Sequence, residues 1–217
     1  YAYYLGKDRN GVYNIKLYFP NREKSITRFI TNCNHLEGIY NLDRTSPDMW
    51  KMVWNHDILS LFQMEKQSGV QGIALVKPES VDDLATLNSV IRLMAQEKGA
   101  EQPLNKFARF KKNINLWYKE MKEYGLTEKE MKTVEPYFKD SYGVPPSQEQ
   151  LMRMLMDENI CHFTLAEANT ARKIVGKKQM SKIPELRDKV LNQAASPCLG
   201  NYIWKCGVGP QMGYSFS

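Results

Sequence analysis

The sequence lacks the features that mark membrane, secreted and zinc-binding proteins. Its 217 residues include only four cysteines and three histidines. No cysteine lies in a CxxC pair or has a histidine at finger-like spacing, which argues against a zinc site and favours free thiols in a reducing compartment. No apolar run approaches the ~20 residues that span a bilayer, and no signal peptide is visible. We therefore expect a cytoplasmic protein with no membrane partner.

The motifs of several enzyme classes are also absent. The chain has no glycine-rich loop of the GxGxxG or GxxxxGK[ST] type, and no catalytic triad can be argued from spacing. It has no DxD pair of the kind that holds two metal ions for phosphoryl transfer. Asp82 and Asp83 are adjacent at a predicted helix start, where capping is their expected role. The sequence thus predicts no metal ligand, no cofactor and no catalytic residue of its own.

The composition is that of a folded protein with a modest positive charge. Apolar residues make up 42% and charged residues 25% of the chain, and the net charge is +6. The length suits one sizeable core, or two small cores that share an interface. Because the first residue is Tyr rather than Met, we expect the chain to be part of a longer polypeptide. The placement of the positive charges is more informative than their sum.

The first twenty residues differ from the rest. Residues 1–20 are rich in β-formers around an Asn-Gly pair, which predicts a β hairpin. From residue 21 onward the chain has helical patterns, and residues 21–33 place four apolar side chains on one stripe. We expect an N-terminal segment over residues 1–40 and a helical domain over residues 41–217, with a boundary near Thr45–Pro47 as the alternative.

Capping residues and glycines mark the predicted helix boundaries. A Ser or Thr that precedes an apolar helical pattern is a favoured N-cap, and glycine often ends a helix. The predicted helix starts are Ser80, Thr127, Ser147 and Thr164, and the predicted helix ends are Gly125 and Gly176. Residues 200–217 are punctuated by glycine and predict a loop, or the first turn of a helix. The predicted fold class is mainly α, a multi-helix unit with a short N-terminal β hairpin.

The strongest charge signal lies between residues 172 and 182. Arg172, Lys173, Lys177 and Lys178 surround one helix end, and Lys182 opens the next helix. A helix C-terminus favours nearby cations by ~0.3–1 kcal/mol, which accounts for Lys177 and Lys178. It does not account for five cations together. We therefore predict a phosphate ligand, from a nucleotide or from a nucleic-acid backbone.

Two weaker signals lie upstream. In the segment FARFKKN, the cations Arg109, Lys111 and Lys112 alternate with phenylalanines. This pattern suits a nucleic-acid backbone, and it equally suits an amphipathic helix whose lysine stems cover apolar surface. Arg92 ends another predicted apolar helix. An arginine in that setting is usually paired with another group or has a functional role, but an arginine exposed at a helix end is equally common.

Several motifs together resemble the bacterial C-family replicative DNA polymerases. Residues 62–93, FQMEKQSGVQGIALVKPESVDDLATLNSVIRL, are similar to an FQ-[LM]-E-S-x-G motif that leads into a helix ending at an arginine. YGVPPSQEQLMRM resembles the family's YG…YQEQ motif, and LAEANTARKIVGKK resembles its motif ending in R-R-x-x-GKK. The segments LDRTSPDMWKMV and MGYSFS match the flanking parts. The matches keep the family's order over residues 41–217, and their combination is specific.

The resemblance implies the fingers domain of a DNA polymerase III alpha subunit. In that family the domain is mostly α, closes on the incoming dNTP and contacts template-primer DNA. Carried over by position, the implied nucleotide-binding residues are Arg92, Gln148, Glu149, Arg172, Lys173, Lys177 and Lys178. Arg109 stands where the family has a basic residue, and Lys111, Lys112 and Lys182 complete the expected DNA-binding set. The other implied partners are the palm and thumb of the polymerase, with Mg²⁺ in the complete enzyme.

The departures from the family pattern are informative. Lys173 replaces the second arginine of the basic pair and so loses a bidentate fork to phosphate. Ser147 replaces a tyrosine, and Leu93-Met94 replaces Pro-Gly. These changes indicate a divergent relative of the kind that phages encode.

The expected function is that of polymerase fingers, inactive alone because the palm aspartates belong upstream. The alternative is a non-catalytic module that binds DNA or a replication protein with the same scaffold. A third reading is an unrelated helical protein whose lysines form only a solvated face.

Overall fold

The computed structural model describes residues 2–7, 13–17, 26–30, 46–58, 61, 63–93 and 99–212. The chain divides into two compact units, Tyr1–Ser46 and Pro47–Ser217.

The described part of the first unit is a three-stranded antiparallel sheet. Its strands are β1 (Ala2–Lys7), β2 (Tyr13–Leu17) and β3 (Ile26–Ile30), in the order β1-β2-β3. The turn of the predicted hairpin, residues 8–12, lies outside the described residues, so the hairpin as a whole stays a prediction. The helix predicted over residues 21–33 is wrong for residues 26–30, which pair with β2. The stretch ITRFI contains β-branched and aromatic residues, which favour a strand.

The second unit is helical throughout its regular elements. Its helices are α1 (Pro47–Trp54), α2 (Gln67–Val76), α3 (Val81–Val90), α4 (Pro103–Lys112), α5 (Asn115–Glu123), α6 (Glu128–Phe138), α7 (Gln148–Met156), α8 (Leu165–Gly176), α9 (Ile183–Gln193), α10 (Pro197–Tyr202) and α11 (Gly209–Met212). A 3₁₀ turn (Met180–Lys182) precedes α9, and a π-helix (Ile203–Val208) joins α10 to α11. The mainly α prediction is confirmed. Within the described ranges, no helix is both long and apolar enough to cross a membrane.

The predicted N-caps are confirmed at all four positions. The side chains of Ser80, Thr127, Ser147 and Thr164 each accept a hydrogen bond from the backbone N–H three residues later. Thr127 and Glu130 also form a reciprocal capping box. At Ser80 the arrangement differs, because the carboxylate of Asp83 accepts a hydrogen bond from the N–H of Glu79 instead of that of Ser80. These caps are local in sequence, which is why they could be read from it.

Two hydrophobic clusters form the core of the second unit. The larger one is built mainly from α5–α10 and the π-helix, and its largest buried side chains are Trp117 and Tyr202. The indole Nε1 of Trp117 donates a hydrogen bond of 2.8 Å to the hydroxyl of Tyr202. The smaller cluster comes from α1–α4 and Val144. Tyr142 packs against both clusters, so the loop between α6 and α7 joins them.

That loop contains two consecutive residues in the left-handed region. Tyr142 has φ +48° and Gly143 has φ +74°. The N–H of Gly143 donates a 2.8 Å bond to the carbonyl of Phe138, which closes the turn after α6. A Cβ at Gly143 would lie 2.4 Å from Cδ1 of Trp117. The Tyr-Gly pair of the YGVPPSQEQ motif is therefore explained by backbone conformation and close packing, and it sets the approach to α7.

The loop predicted near the C-terminus is wrong for residues 200–212. These residues are helical, with a π-helix in the middle. Their glycines allow close packing rather than a turn: a Cβ at Gly207 would lie 2.9 Å from Cε of Met154, and one at Gly200 would lie 2.8 Å from Cβ of Ala194. Sequence patterns count glycine against helix because of its intrinsic propensity, and tertiary contacts override that preference here. Residues 213–217 lie outside the described residues.

The N-terminus of α8 is fixed by a carboxylate with several donors. Glu167 accepts hydrogen bonds from Lys189 (2.7 Å), from the N–H of Thr164 (2.8 Å) and from the Thr164 hydroxyl (2.9 Å). These bonds, with the one from Lys189 the largest cause, lower the pKa of Glu167 to about 2. The carboxylate links the start of α8 to α9, which holds in place the helix that carries the positive charges.

A depressed folded-state pKa makes the stability from Glu167 dependent on pH. The contribution is complete above the unfolded-state pKa of about 4.5 and is lost as pH falls toward 2. We expect wild-type unfolding free energy, from urea titrations, to fall more steeply than that of Glu167→Gln over this window. Parallel curves for the two proteins would contradict the assignment.

Candidate phosphate-binding site

Five cations surround the C-terminal end of α8 and the turn that follows it. This α8 cation cluster consists of Arg172, Lys173, Lys177, Lys178 and Lys182. The four lysines are exposed and Arg172 is half-buried. Across the described ranges of the chain, none of the five forms an ion pair. The cluster thus keeps its positive charge available to an external anion.

The end of α8 is a Schellman-type cap with a lysine in the position that usually takes glycine. The N–H of Gln179 donates to the carbonyl of Ile174 (3.0 Å), and that of Lys178 donates to Val175 (3.1 Å). Lys178 has φ +51°. Gly176 is the last residue of the helix, as predicted, but the left-handed residue of the cap is Lys178. Left-handed backbone costs a residue with a Cβ ~1–2 kcal/mol, so the cap retains a charge at the expense of stability.

Lys178→Gly should therefore stabilise the fold while removing a charge. We expect its unfolding free energy to rise by about 0.5–1 kcal/mol, because glycine adopts the left-handed conformation without strain. Lys177→Gly is the matched control: Lys177 has φ −93°, so glycine relieves no strain there and should destabilise. Urea unfolding of the two variants measures the difference. Equal losses of stability in both would show that the cap at Lys178 is unstrained.

Gly176 brings the start of α7 to the end of α8. A Cβ at Gly176 would lie 2.8 Å from Nε2 of Gln148. Gln148 is the first residue of α7, and Ser147 before it caps that helix in place of the family's tyrosine. Glu149 is exposed on the first turn. The structure thus brings the predicted Gln148 to the edge of the α8 cation cluster.

A polar neighbour orients the guanidinium of Arg172. Its Nε and Nη2 atoms donate to Oδ1 of Asn169 at 3.2 and 3.0 Å. Asn169 is neutral, so it fixes the side chain without cancelling the charge. Sequence reasoning missed Asn169, although its position three residues before Arg172 on one helix is a signal that could have found it.

The upstream cations have other partners. Arg92 follows α3 at the edge of the smaller core, where its guanidinium donates to the side-chain oxygen of Gln63. Arg109 makes a two-bond ion pair with Glu101, at 3.0 and 2.7 Å, which raises the pKa of Arg109. Its guanidinium also lies 4.5 Å from the centre of the Phe110 ring. These contacts engage Arg92, which the sequence predicted to bind nucleotide, and Arg109, which it predicted to bind DNA.

Lys111 is held inside the fold. Its ammonium lies 3.3 Å from carboxylates of both Glu79 and Asp83, and its side chain is 12% exposed. Lys112, in contrast, is exposed and has no ion pair among the described residues. The two phenylalanines of the segment, Phe107 and Phe110, are fully buried. Of the two readings of FARFKKN, the contacts favour the amphipathic helix, since buried rings cannot stack on bases.

A cavity of about 300 Å³ lies apart from the predicted residues, against α4, α5 and the π-helix. A Lys106–Glu120 ion pair of 2.8 Å lines it, and Sγ of Cys206 lies 3.6 Å from Glu120. Burial raises the pKa of the Cys206 thiol to about 12, so the thiol is not a nucleophile at neutral pH. The three residues are distant in sequence and carry no shared motif, so only the fold could reveal them.

The family is decided by comparison with known sequences. Residues 24–197 match the profile of the bacterial DNA polymerase III alpha subunit finger domain. The chain belongs to this family. The match confirms the resemblance seen in the motifs, and it spans the helices that carry the α8 cation cluster.

The chain is similar in sequence to DNA polymerases of bacteria and of a phage. The chain is 39% identical over 173 residues to a probable DNA polymerase, YorL, of Bacillus subtilis, and equally to a DNA-directed DNA polymerase of Bacillus phage SPbeta. It is 28% identical over 148 residues to the DNA polymerase III subunit alpha of Aquifex aeolicus. These alignments cover 78% and 68% of this chain but 13% and 12% of the relatives, so the chain spans about an eighth of the length of the relatives that it matches.

Proposed function

We propose that this fingers domain binds the triphosphate of an incoming dNTP, together with template-primer DNA, in a polymerase of the DNA polymerase III alpha type. The observation that carries the proposal is the α8 cation cluster, whose members have no ion pair in the described ranges. Concentrated positive charge is costly unless an anion neutralises it, and a polyphosphate is the anion that a polymerase handles.

Within this proposal the residues have distinct tasks. Arg172, oriented by Asn169, binds the triphosphate with its planar fork, and Lys173 adds a point charge on the neighbouring face. Lys177 and Lys178 neutralise charge that develops on the leaving pyrophosphate. Gln148 donates from the adjacent start of α7.

Glu149 has a different task from its neighbour Gln148. A carboxylate repels phosphate, so we propose that Glu149 accepts a hydrogen bond from a donor group of the sugar or base.

The DNA-binding set is narrower than the sequence suggested. Lys112 and Lys182 are exposed and remain in the proposal as contacts to the nucleic-acid backbone. Arg109 and Lys111 are held by carboxylates, and we propose that their role is to stabilise α4. Arg92, bonded to Gln63, is proposed to position the segment before α2.

The catalytic metal ions are proposed to be held outside this domain. The described residues contain no group of three or more histidines, cysteines or carboxylates that fits a metal ion. Mg²⁺ in the complete polymerase then belongs to palm carboxylates, and the fingers contribute electrostatic stabilisation and alignment. The palm and thumb are accordingly the proposed protein partners.

The test is the salt dependence of template-primer binding by the complete polymerase. Loss of one phosphate contact lowers the slope of log Kd against log salt by about 1. We expect Lys182→Ala to show this change and to bind several-fold more weakly at low salt. Lys132→Ala, an exposed lysine on α6, is the matched control and should leave the slope intact. An unchanged slope for Lys182→Ala would remove that lysine from the contacts to the nucleic-acid backbone.

A further inference from the structure

The turn after α8 holds an exposed apolar side chain among its lysines. Met180 is 70% exposed, the most exposed of the large apolar side chains that the structure describes. Lys177 and Lys178 precede it and Lys182 follows it, and none of these lysines forms an ion pair within the described ranges. A single exposed methionine is common on protein surfaces. Met180, however, lies among positively charged side chains, which restricts the kind of ligand that it can contact.

Backbone hydrogen bonds hold Met180 outward. Its N–H donates to the carbonyl of Lys178 at 2.8 Å, and the N–H of Lys182 donates to Gln179 at 2.9 Å. The turn is anchored on both sides, because Val175 before it is buried and Ile183 after it packs against the larger core. The exposure of Met180 is therefore built into an ordered 3₁₀ turn.

The combination of an apolar side chain with flanking cations fits a nucleic-acid strand. Phosphate oxygens satisfy the lysines but offer nothing to a thioether. A strand supplies phosphates and, between them, the apolar faces of its bases when these are unstacked. Methionine is one of the side chains that proteins insert against base steps, and its flexible, polarisable chain adapts to a flat surface.

We propose that Met180 packs against the face of an unstacked base of a DNA strand whose backbone phosphate contacts Lys182. This inference rests on the proposed function and adds a base contact to it. It makes residues 180–182 a nucleic-acid surface that tolerates any sequence, since every base has an apolar face.

The test combines a protein change with a DNA change in the complete polymerase. Binding of template-primer with a single-stranded template overhang is measured by fluorescence anisotropy, with normal or abasic overhang nucleotides. We expect Met180→Ala to bind the normal overhang about fivefold more weakly and the abasic overhang as well as wild type does. Met180→Leu, which stays apolar, should bind the normal overhang within about twofold of wild type.

Leu165→Ala is the matched control. Leu165 is 65% exposed and begins α8, so it lies about 18 Å along the helix from Lys177, where the turn begins. Its replacement should change binding to neither DNA. Equal losses by Met180→Ala on both DNAs, or no loss on either, would overturn the base contact. Failure of Lys182→Ala to alter the salt slope would instead overturn the proposed function, so the two results are separable.

Discussion

Arg172→Ala in the complete polymerase is expected to lower kcat/KM for dNTP incorporation by about 100-fold, through a higher KM and a lower kcat. The guanidinium is fixed by Asn169 and has no carboxylate partner among the described residues, so its charge is available to the triphosphate. Removing a preorganised cation from the charge that develops in the transition state costs rate as well as binding. Single-turnover incorporation kinetics at varied dNTP concentration measure both parameters.

Two further variants separate charge from orientation. Arg172→Lys keeps the charge and loses the fork, so we expect an intermediate loss of about tenfold. Asn169→Ala leaves Arg172 intact and removes its hydrogen-bond partner, which should also give an intermediate loss. Lys132→Ala serves as the charge control on α6. Wild-type kinetics for Arg172→Ala would exclude Arg172 from the triphosphate site.

Gly143→Ala is expected to destabilise the 217-residue chain by about 2–4 kcal/mol. The new methyl would lie 2.4 Å from Trp117, whose ring is fully buried and hydrogen-bonded to Tyr202. Overpacking of this kind costs ~1–3 kcal/mol, and alanine at positive φ adds ~1 kcal/mol. The loss is a large share of the ~5–15 kcal/mol that stabilises a typical domain.

Gly99→Ala provides the control for the backbone term. Gly99 has φ +89°, and no atom of the described residues lies within 4 Å of an added Cβ, so it isolates the cost of left-handed backbone. We expect a loss of about 1 kcal/mol there, measured by urea unfolding. Equal losses at Gly99 and Gly143 would show that contact with Trp117 adds nothing.

The fold could be predicted from the sequence where its determinants are local. Ser147 and Thr164 cap their helices as expected, because a cap depends on residues within one turn. Residues 26–30 were mispredicted because the same apolar positions fit both a helical stripe and a short strand, and pairing with β2 decides between them. Residues 200–212 were mispredicted because contacts from distant residues such as Met154 determine the role of each glycine.

In the candidate site, too, features that depend on neighbouring residues could be predicted from the sequence, and features that depend on distant residues could not. The motif around Gly176 identified the α8 cation cluster directly, since the cations are neighbours along one helix end. The ion pairs of Lys111 could not be predicted from the sequence, because their partners Glu79 and Asp83 lie 32 and 28 residues away along the chain. Phe107 and Phe110 alternate with cations in the sequence, yet they point into the cores. Long-range contacts thus decide which cations stay available to a ligand.

The most direct test of the account is a structure of the complete polymerase with template-primer and a non-hydrolysable dNTP. We predict that nitrogen atoms of Arg172 and of at least one of Lys173, Lys177 and Lys178 lie about 3 Å from triphosphate oxygens. Phosphate oxygens of the DNA should lie at similar distances from Lys182. A bound triphosphate more than about 6 Å from all of these side chains would contradict the account, because direct charge-assisted hydrogen bonds would then be impossible.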